Sequence, residues 1–524
     1  MGYETIGFLA LFASIVFLIY ILVPKKFRYF VLLIASYGLF ITISKWLVVF
    51  LILTTVSIYF VGIGMDKYNK RYEVEKEGLE KDDRKALKAK YNKKKKLLMI
   101  LGVLFNVILL IVLKYLNLFG EIFNGFFDMC HIDYNIPTLI VLIPLGLSYY
   151  TLNAIGYVVD VYRGKYSADR NFLHVALFMS YLPQMFEGPF AKYDELTPQL
   201  VEGRDFDYLN MVHGLQLFLF GIFKKIVIAD RINIITQEVF TNYNNYSGIV
   251  IIGAAILYTI QLYAEFSGII EMVLGVSEMF GFKLQKNFDK PFFSRTVSEF
   301  WRRWHMSFGA WLKEYIFYSV SFSKPITKMS KGLRNKNKNF LSVFIPSTIA
   351  LFCVWVVCGL WHGCGVKYFV YGMYYFVIMD IGLLIEGLMN KFKNYEKLKN
   401  NKAYICFQIT RTFILVTIGM LIFRAATLND SVNMISRFFS GGVTNLVSAN
   451  VIELSELIVM LLLIAFLVFV DFMHIKYENI REEFVDKRHV VIRWALYLLL
   501  ILVIFYFGTY GPNYAPVDPV YGQF

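Results

Sequence analysis

Apolar residues run along the chain in long blocks, with the polar residues gathered between them. Such blocks occupy residues 6–23, 30–43, 47–63, 97–113, 209–228, 249–263, 341–360, 368–385, 405–422, 457–472 and 490–507. Roughly 20 consecutive apolar residues cross the hydrocarbon of a bilayer as a helix that bonds its own backbone, so each block predicts a membrane element. Two shorter stretches, 136–150 and 172–186, carry Pro144 and Pro183 and read as further spans or re-entrant pieces. The pattern therefore predicts an all-α integral membrane protein with about a dozen membrane elements.

Composition removes the soluble alternative. Of 524 residues, 57% are hydrophobic and 18% aromatic, more apolar side chain than a soluble core of this size can cover. No repeat of fixed period and no separate soluble domain stand out, so 1–524 reads as one membrane domain, with a charged segment at 66–96 and a set of C-terminal helices at 404–524. The net charge of +14 fits basic loops on the cytoplasmic face. No nucleic-acid motif accompanies it, so a nucleic-acid partner is not expected. The five cysteines form no CxxC pair and are expected as buried free thiols. Met1 to Thr5 lacks the basic region of a signal peptide, and Ile6 stands where a myristoylation signal has Ser or Thr, so neither is indicated.

The charged loops orient the spans. Lys25, Lys26 and Arg28 follow the first block, which places the N-terminus outside. Three spans later, the segment 66–96 closes on Lys93-Lys94-Lys95-Lys96 and falls in the cytoplasm, where it is expected as a surface helix near anionic headgroups or a solvated loop. The basic loops 324–338 and 391–402 flank the spans that begin at Leu341 and Tyr368. With both loops cytoplasmic, His362 lies toward the far side of the membrane. The tail 509–524 has no Lys or Arg, which suits the outside.

Two histidines carry the candidate chemistry. Read as one helix at about 100° per residue, 299–318 puts Trp301, Trp304, Phe308, Trp311, Leu312 and Tyr315 on one face and Arg302, Arg303, Lys313 and Glu314 mostly on the other. That is an interfacial helix with His305 in its aromatic arc. Arg302 and Arg303 suit the phosphates of coenzyme A or of a phosphopantetheine arm, or those of lipid headgroups. His362 ends an apolar span beside Gly359, Gly363 and Gly365, small residues that permit close approach. An ionisable group at membrane depth usually marks a site, and imidazole suits a general base near neutrality. Gln261, Glu265 and Ser267 precede Gly268, while Asn153, Asp160, Gln184 and Glu187 lie in other apolar settings; each lines a polar cavity or ties helices together. The remaining histidines read as structural or solvated. No P-loop, HExxH or GxSxG occurs, and no metal site is expected.

Several ordered motifs go beyond physics alone. Ile143 to Thr151, Tyr157 to Gly164, Pro183-Gln184 with Gly188-Pro189, Gly221 to Lys225, Gln261 to Gly268, Gly281-Phe282 with Asn287-Phe288, and both histidine motifs resemble the membrane-bound O-acyltransferase family. The likeness covers most of the chain and is nearest the bacterial branch of alginate O-acetylation and teichoic acid D-alanylation. The resemblance implies a ring of helices around a central tunnel, with cytoplasmic interfacial helices. It implies His362 as the principal catalytic histidine, and His305 at a second active-site position that is Asn or Asp in other branches. Trp301, Arg302, Arg303, Trp304, Gln261, Glu265, Ser267 and Trp361 are the accompanying candidates for substrate or donor binding. Glu265 departs from the Asp usual before Phe-Ser-Gly in the alginate-type motif, keeping the charge. No tightly bound cofactor is implied. The expected donor is an acyl thioester, acetyl-CoA or an acyl-carrier arm. The expected acceptor is an extracytoplasmic polysaccharide or an acyltransferase partner. The expected location is the cytoplasmic membrane. The rival readings are D-alanyl transfer, a proton-coupled transporter and a scaffold that presents an acyl-carrier protein.

Overall fold

The structure is a computed structural model that describes residues 3–138, 143–185, 187–336, 338–392, 395–442, 444, 446, 451–477 and 480–510. Part of the expected element 136–150 and most of the tail 509–524 lie outside these. The helices are α1 (Tyr3–Leu22), α2 (Arg28–Ser44), α3 (Val48–Glu75), α4 (Lys81–Met129), α5 (Leu147–Arg163), α6 (Phe172–Ser180), α7 (Leu182–Met185) and α8 (Tyr193–Glu202). There follow α9 (Tyr208–Ile222), α10 (Asp230–Thr241), α11 (Gly248–Met279), α12 (Val297–Arg303), α13 (Met306–Leu312), α14 (Tyr318–Ser321) and α15 (Lys324–Asn335). The last are α16 (Asn339–His362), α17 (Val366–Met389), α18 (Tyr395–Lys399), α19 (Lys402–Arg424), α20 (Leu428–Ser436), α21 (Leu454–Lys476) and α22 (Val490–Phe507). Among the described residues the one strand-like pairing is an isolated antiparallel bridge between Phe288 and Trp304.

Nine helical stretches among the described residues are long and apolar enough to cross a membrane, and the first of them, Lys25–Glu75, joins α2 and α3. With the shorter apolar helix of residues 6–22, they account for every long block in the sequence. The protein is a multi-pass, all-α membrane protein. The 172–186 stretch does not span. Its nine-residue helix α6 is only about 14 Å long, because the chain leaves the helix at Tyr181 ahead of Pro183.

The chain forms two compact units. One comprises Phe8–Val212 and Val276–Gln285. Here the charged segment 66–96 corrects the expected surface helix: it is the ends of α3 and α4, continued past their apolar parts and joined by a short turn. Charge bars these residues from hydrocarbon, yet Lys, Glu and Ala are good helix formers, so the helices run on into water. The Tyr91 hydroxyl donates to Glu75 at 2.7 Å, and Lys95 Nζ donates to Asn69 Oδ1 at 2.8 Å. These bonds tie the two ends together.

The other unit comprises Met1–Gly7, His213–Gly275 and Lys286–Phe524. Its outer helices face lipid: Leu462, Val491 and Phe505 are each about two-thirds exposed, normal for an apolar solvent and costly in water. None of the five cysteines forms a disulfide, but only Cys358 is buried as expected; Cys353 is half-buried and Cys130, Cys364 and Cys406 are exposed.

Candidate active site

The segment expected as one helix over 299–318 is broken at its histidine. The Thr296 hydroxyl caps α12, accepting the Glu299 N–H at 3.1 Å, and the helix ends at Arg303. The chain then pairs with a segment that precedes it: Asp289 N–H donates to the Arg303 carbonyl and Met306 N–H to the Asn287 carbonyl, both at 2.9 Å. The Asn287 side chain fixes the far side, its Oδ1 accepting the Ser307 N–H at 2.9 Å and the Ser307 hydroxyl at 2.7 Å. Between these bonds His305 adopts a left-handed backbone with φ of +47°, a conformation His tolerates better than most residues. Long-range pairing has overridden the local helical period. The faces nevertheless divide as expected, with Trp304, Phe308, Trp311, Leu312 and Tyr315 buried and Arg302 and Lys313 exposed.

His362 reaches the same place from another direction, as the last residue of α16. The turn into α17 is tight because Gly359 lets the backbones meet: a Cβ there would lie 2.5 Å from the Tyr368 carbonyl oxygen. His362 is 2% exposed and His305 3%. The two imidazoles share Phe308 and Trp361 as ring neighbours. His305 lies 5.1 Å from Phe308 and 6.0 Å from Trp361; His362 lies 6.1 Å and 5.0 Å from the same rings, centroid to centroid. Phe308 and Trp361 themselves approach to 4.4 Å. Phe266 closes on His305 at 4.8 Å, and Phe423 on His362 at 5.5 Å. Burial, and then the neighbouring His362, push the His305 pKa well below its usual value, so that ring is neutral near pH 7.

The other expected residues distribute around this pair. Trp361 is part of it. Trp301 packs instead on Trp355 and Tyr375, at 5.1 and 4.8 Å, and Trp304 on Phe288 at 5.1 Å. Arg303 is held by Glu299 at 2.6 Å, while Arg302 is exposed. Gln261, Glu265 and Ser267 lie on α11 and bond toward the segment 223–236. Gln261 accepts from the Thr236 hydroxyl at 2.6 Å and donates to Asn233 at 3.0 Å. Lys225 donates to Asp230 at 2.6 Å and to Glu265 at 3.2 Å, and Lys224 to Glu271 at 2.6 Å and Ser267 at 3.4 Å. A wide helical turn at Phe223–Ala229 aims both lysines inward, past the close approach of Gly221 and Gly268. Sequence reasoning assigned no role to Asn287, Phe266, Phe423 or Lys225. The motifs Asn287-Phe288, Gln261 to Gly268 and Gly221 to Lys225 were the signals for Asn287, Phe266 and Lys225; Phe423 had none.

Comparison with known proteins places the chain in a family. The family model of MBOAT, the membrane-bound O-acyltransferase family, matches residues 166–423, a range that holds both histidines and the α11 network. The probable alginate O-acetylase AlgI of Pseudomonas putida is 31% identical over 467 residues, covering 89% of this chain and 86% of that one. The peptidoglycan O-acetyltransferase of Helicobacter pylori is 27% identical over 66% of this chain and 65% of its own. The teichoic acid D-alanyltransferase of Bacillus subtilis is 28% identical over 53% of this chain and 68% of its own. A helical membrane chain with two buried histidines on shared aromatic neighbours, this similar to such proteins over nearly its whole length, belongs to the membrane-bound O-acyltransferase family and is an O-acyltransferase.

Proposed function

We propose that this enzyme moves an acyl group, most simply acetyl, from a cytoplasmic thioester to hydroxyls of a cell-surface polysaccharide outside the membrane, directly or through a partner protein. The observation that carries the reading is the pair of buried imidazoles on common ring neighbours, one presented by the 297–312 segment and the other by the end of α16. On the orientation read from the basic loops, the chain lies in the cytoplasmic membrane with its N-terminus outside. A passage then lets the donor reach the pair from the cytoplasm and the acceptor from the other face.

In this reaction the His362 imidazole takes the proton of the acceptor hydroxyl while that oxygen attacks the thioester carbonyl carbon. The carbon–sulfur bond breaks, the thiolate leaves and the proton returns to it. His305, held neutral, orients the carbonyl or the leaving thiol. Arg302, which is exposed, meets the donor's phosphates. The α11 residues Gln261, Glu265 and Ser267 hold that helix, and with it Phe266, against His305. Acetyl transfer is favoured because the alginate-type relatives match nearly the whole chain; D-alanyl transfer to teichoic acid is the second reading, supported by a shorter match. Purified protein given labelled acetyl-CoA and, separately, a D-alanyl-charged carrier protein separates the two. Product from acetyl-CoA alone supports the first reading, product from the carrier alone supports the second, and product from neither refutes both.

A further inference from the structure

The acyl-transfer mechanism leaves α21 without a task, yet one turn of that helix reaches the loop that seats His305. The buried residues of α21 are Met460, Leu467 and Asp471, a single inward stripe at helical spacing. Asp471 is therefore a carboxylate on the inner face of a helix long and apolar enough to cross a membrane, a costly place unless a partner meets it. The partner is Tyr263 of α11, itself buried, whose hydroxyl donates to Asp471 Oδ1 at 3.0 Å. The next residues of the same turn touch the segment ahead of α12. Phe472 packs on Phe293 at 6.4 Å between ring centroids, and the His474 carbonyl accepts from Lys290 Nζ at 3.4 Å.

The Tyr263 ring carries this bond to the site. It meets Phe292 at 5.0 Å, Phe288 at 5.7 Å and Trp304 at 6.1 Å, so it touches both sides of the bridge between Phe288 and Trp304. His305 is the next residue. One turn along α11, Phe266 touches Phe288 at 5.1 Å and His305 at 4.8 Å. A ring packed among other rings can shift between them; the hydroxyl bond fixes one placement, and with it the bridge on which the left-handed backbone of His305 depends. Helix α21 follows residue 423, where the match to the family model ends, so this link lies outside that match.

We propose that Asp471 is a positioning residue, which seats His305 through Tyr263 and so makes α21 part of the support of the reacting site. The link rests on the acyl-transfer reading only for its effect on rate, and placement and rate are measured separately. The full-length protein in nanodiscs is treated with diethyl pyrocarbonate, which modifies accessible neutral imidazoles. Modification of His305 is followed by peptide mass spectrometry, and donor kinetics are measured on the same preparation. Asp471→Ala and Tyr263→Phe are each expected to open His305 to faster modification. Each should also lower kcat about ten- to a hundredfold, the worth of a hydrogen bond to a charged group, with KM for the donor unchanged. The double variant should be no slower than the slower single one, because both changes break one bond. Asp471→Asn keeps an accepting oxygen and should recover much of the loss. Folded variants in which His305 stays as protected as in wild type overturn the proposal, as does a double variant whose losses add. Faster modification of His305 with an unchanged kcat supports the link and refutes the part given to His305 in acyl transfer. If Asp471→Ala does not fold, Tyr263→Phe, which removes a single oxygen, decides by the same two measurements.

Discussion

Asn287 is the residue on which the placement of His305 turns. Replacing it with Ala removes the acceptor for two donors of Ser307, its N–H and its hydroxyl, and Ser307 is 4% exposed. Each hydrogen bond lost from a buried donor costs about 1–3 kcal/mol, so losing the two withdraws about 2–6 kcal/mol from the turn. The left-handed backbone of His305 costs about 1–3 kcal/mol and is held only because its surroundings over-determine it. With those bonds gone, the turn relaxes and the imidazole leaves its seat against Phe266 and Phe308. We expect Asn287→Ala to slow acyl transfer about ten- to a hundredfold, each tenfold being 1.4 kcal/mol, with the membrane helices intact. Asn287→Asp keeps the accepting oxygen and should recover much of the loss. The assay is the initial rate of label transfer from the thioester that serves as donor, with thermal unfolding followed alongside. A folded Asn287→Ala enzyme with the wild-type rate, or an Asp variant as slow as the Ala one, refutes the reasoning.

Other outcomes follow from the same contacts. Lys225→Met leaves Asp230 and Glu265 buried without their cation and should destabilise the fold by about 3–5 kcal/mol, read as a lowered unfolding temperature in detergent. Gly359→Ala drives a methyl group into the Tyr368 carbonyl, so the α16–α17 turn must open, with loss of activity exceeding loss of stability. Because a left-handed residue is needed at 305, His305→Asn should retain more activity than His305→Val, in which branching at Cβ opposes that backbone. Among single-cysteine variants in intact cells, an impermeant maleimide should label Cys364 but not Cys406; the reverse pattern inverts the proposed orientation.

Much of this was legible in the sequence because the bilayer imposes a simple rule: blocks long enough to cross it became helices, and the block at 341–360 leads directly to His362. Features set by distant partners were not legible. The break at Trp304 and His305 depends on residues 287–289 folding back against 303–306, and the 3.6-residue period contains no trace of that pairing. The hairpin ends of α3 and α4 were hidden for another reason. Their charge signals exclusion from lipid, but says nothing on whether the helix stops there. Lys225 looked like one more basic residue until the wide turn before α10 brought it between Asp230 and Glu265.

The central claim is that the His362 imidazole takes the proton of the acceptor hydroxyl. Its most direct measurement is acyl transfer by His362→Ala, compared with wild type in the same membranes at matched unfolding temperature. Transfer reduced to background with the protein still folded is the expected result; a folded His362→Ala enzyme that transfers at near the wild-type rate contradicts the claim.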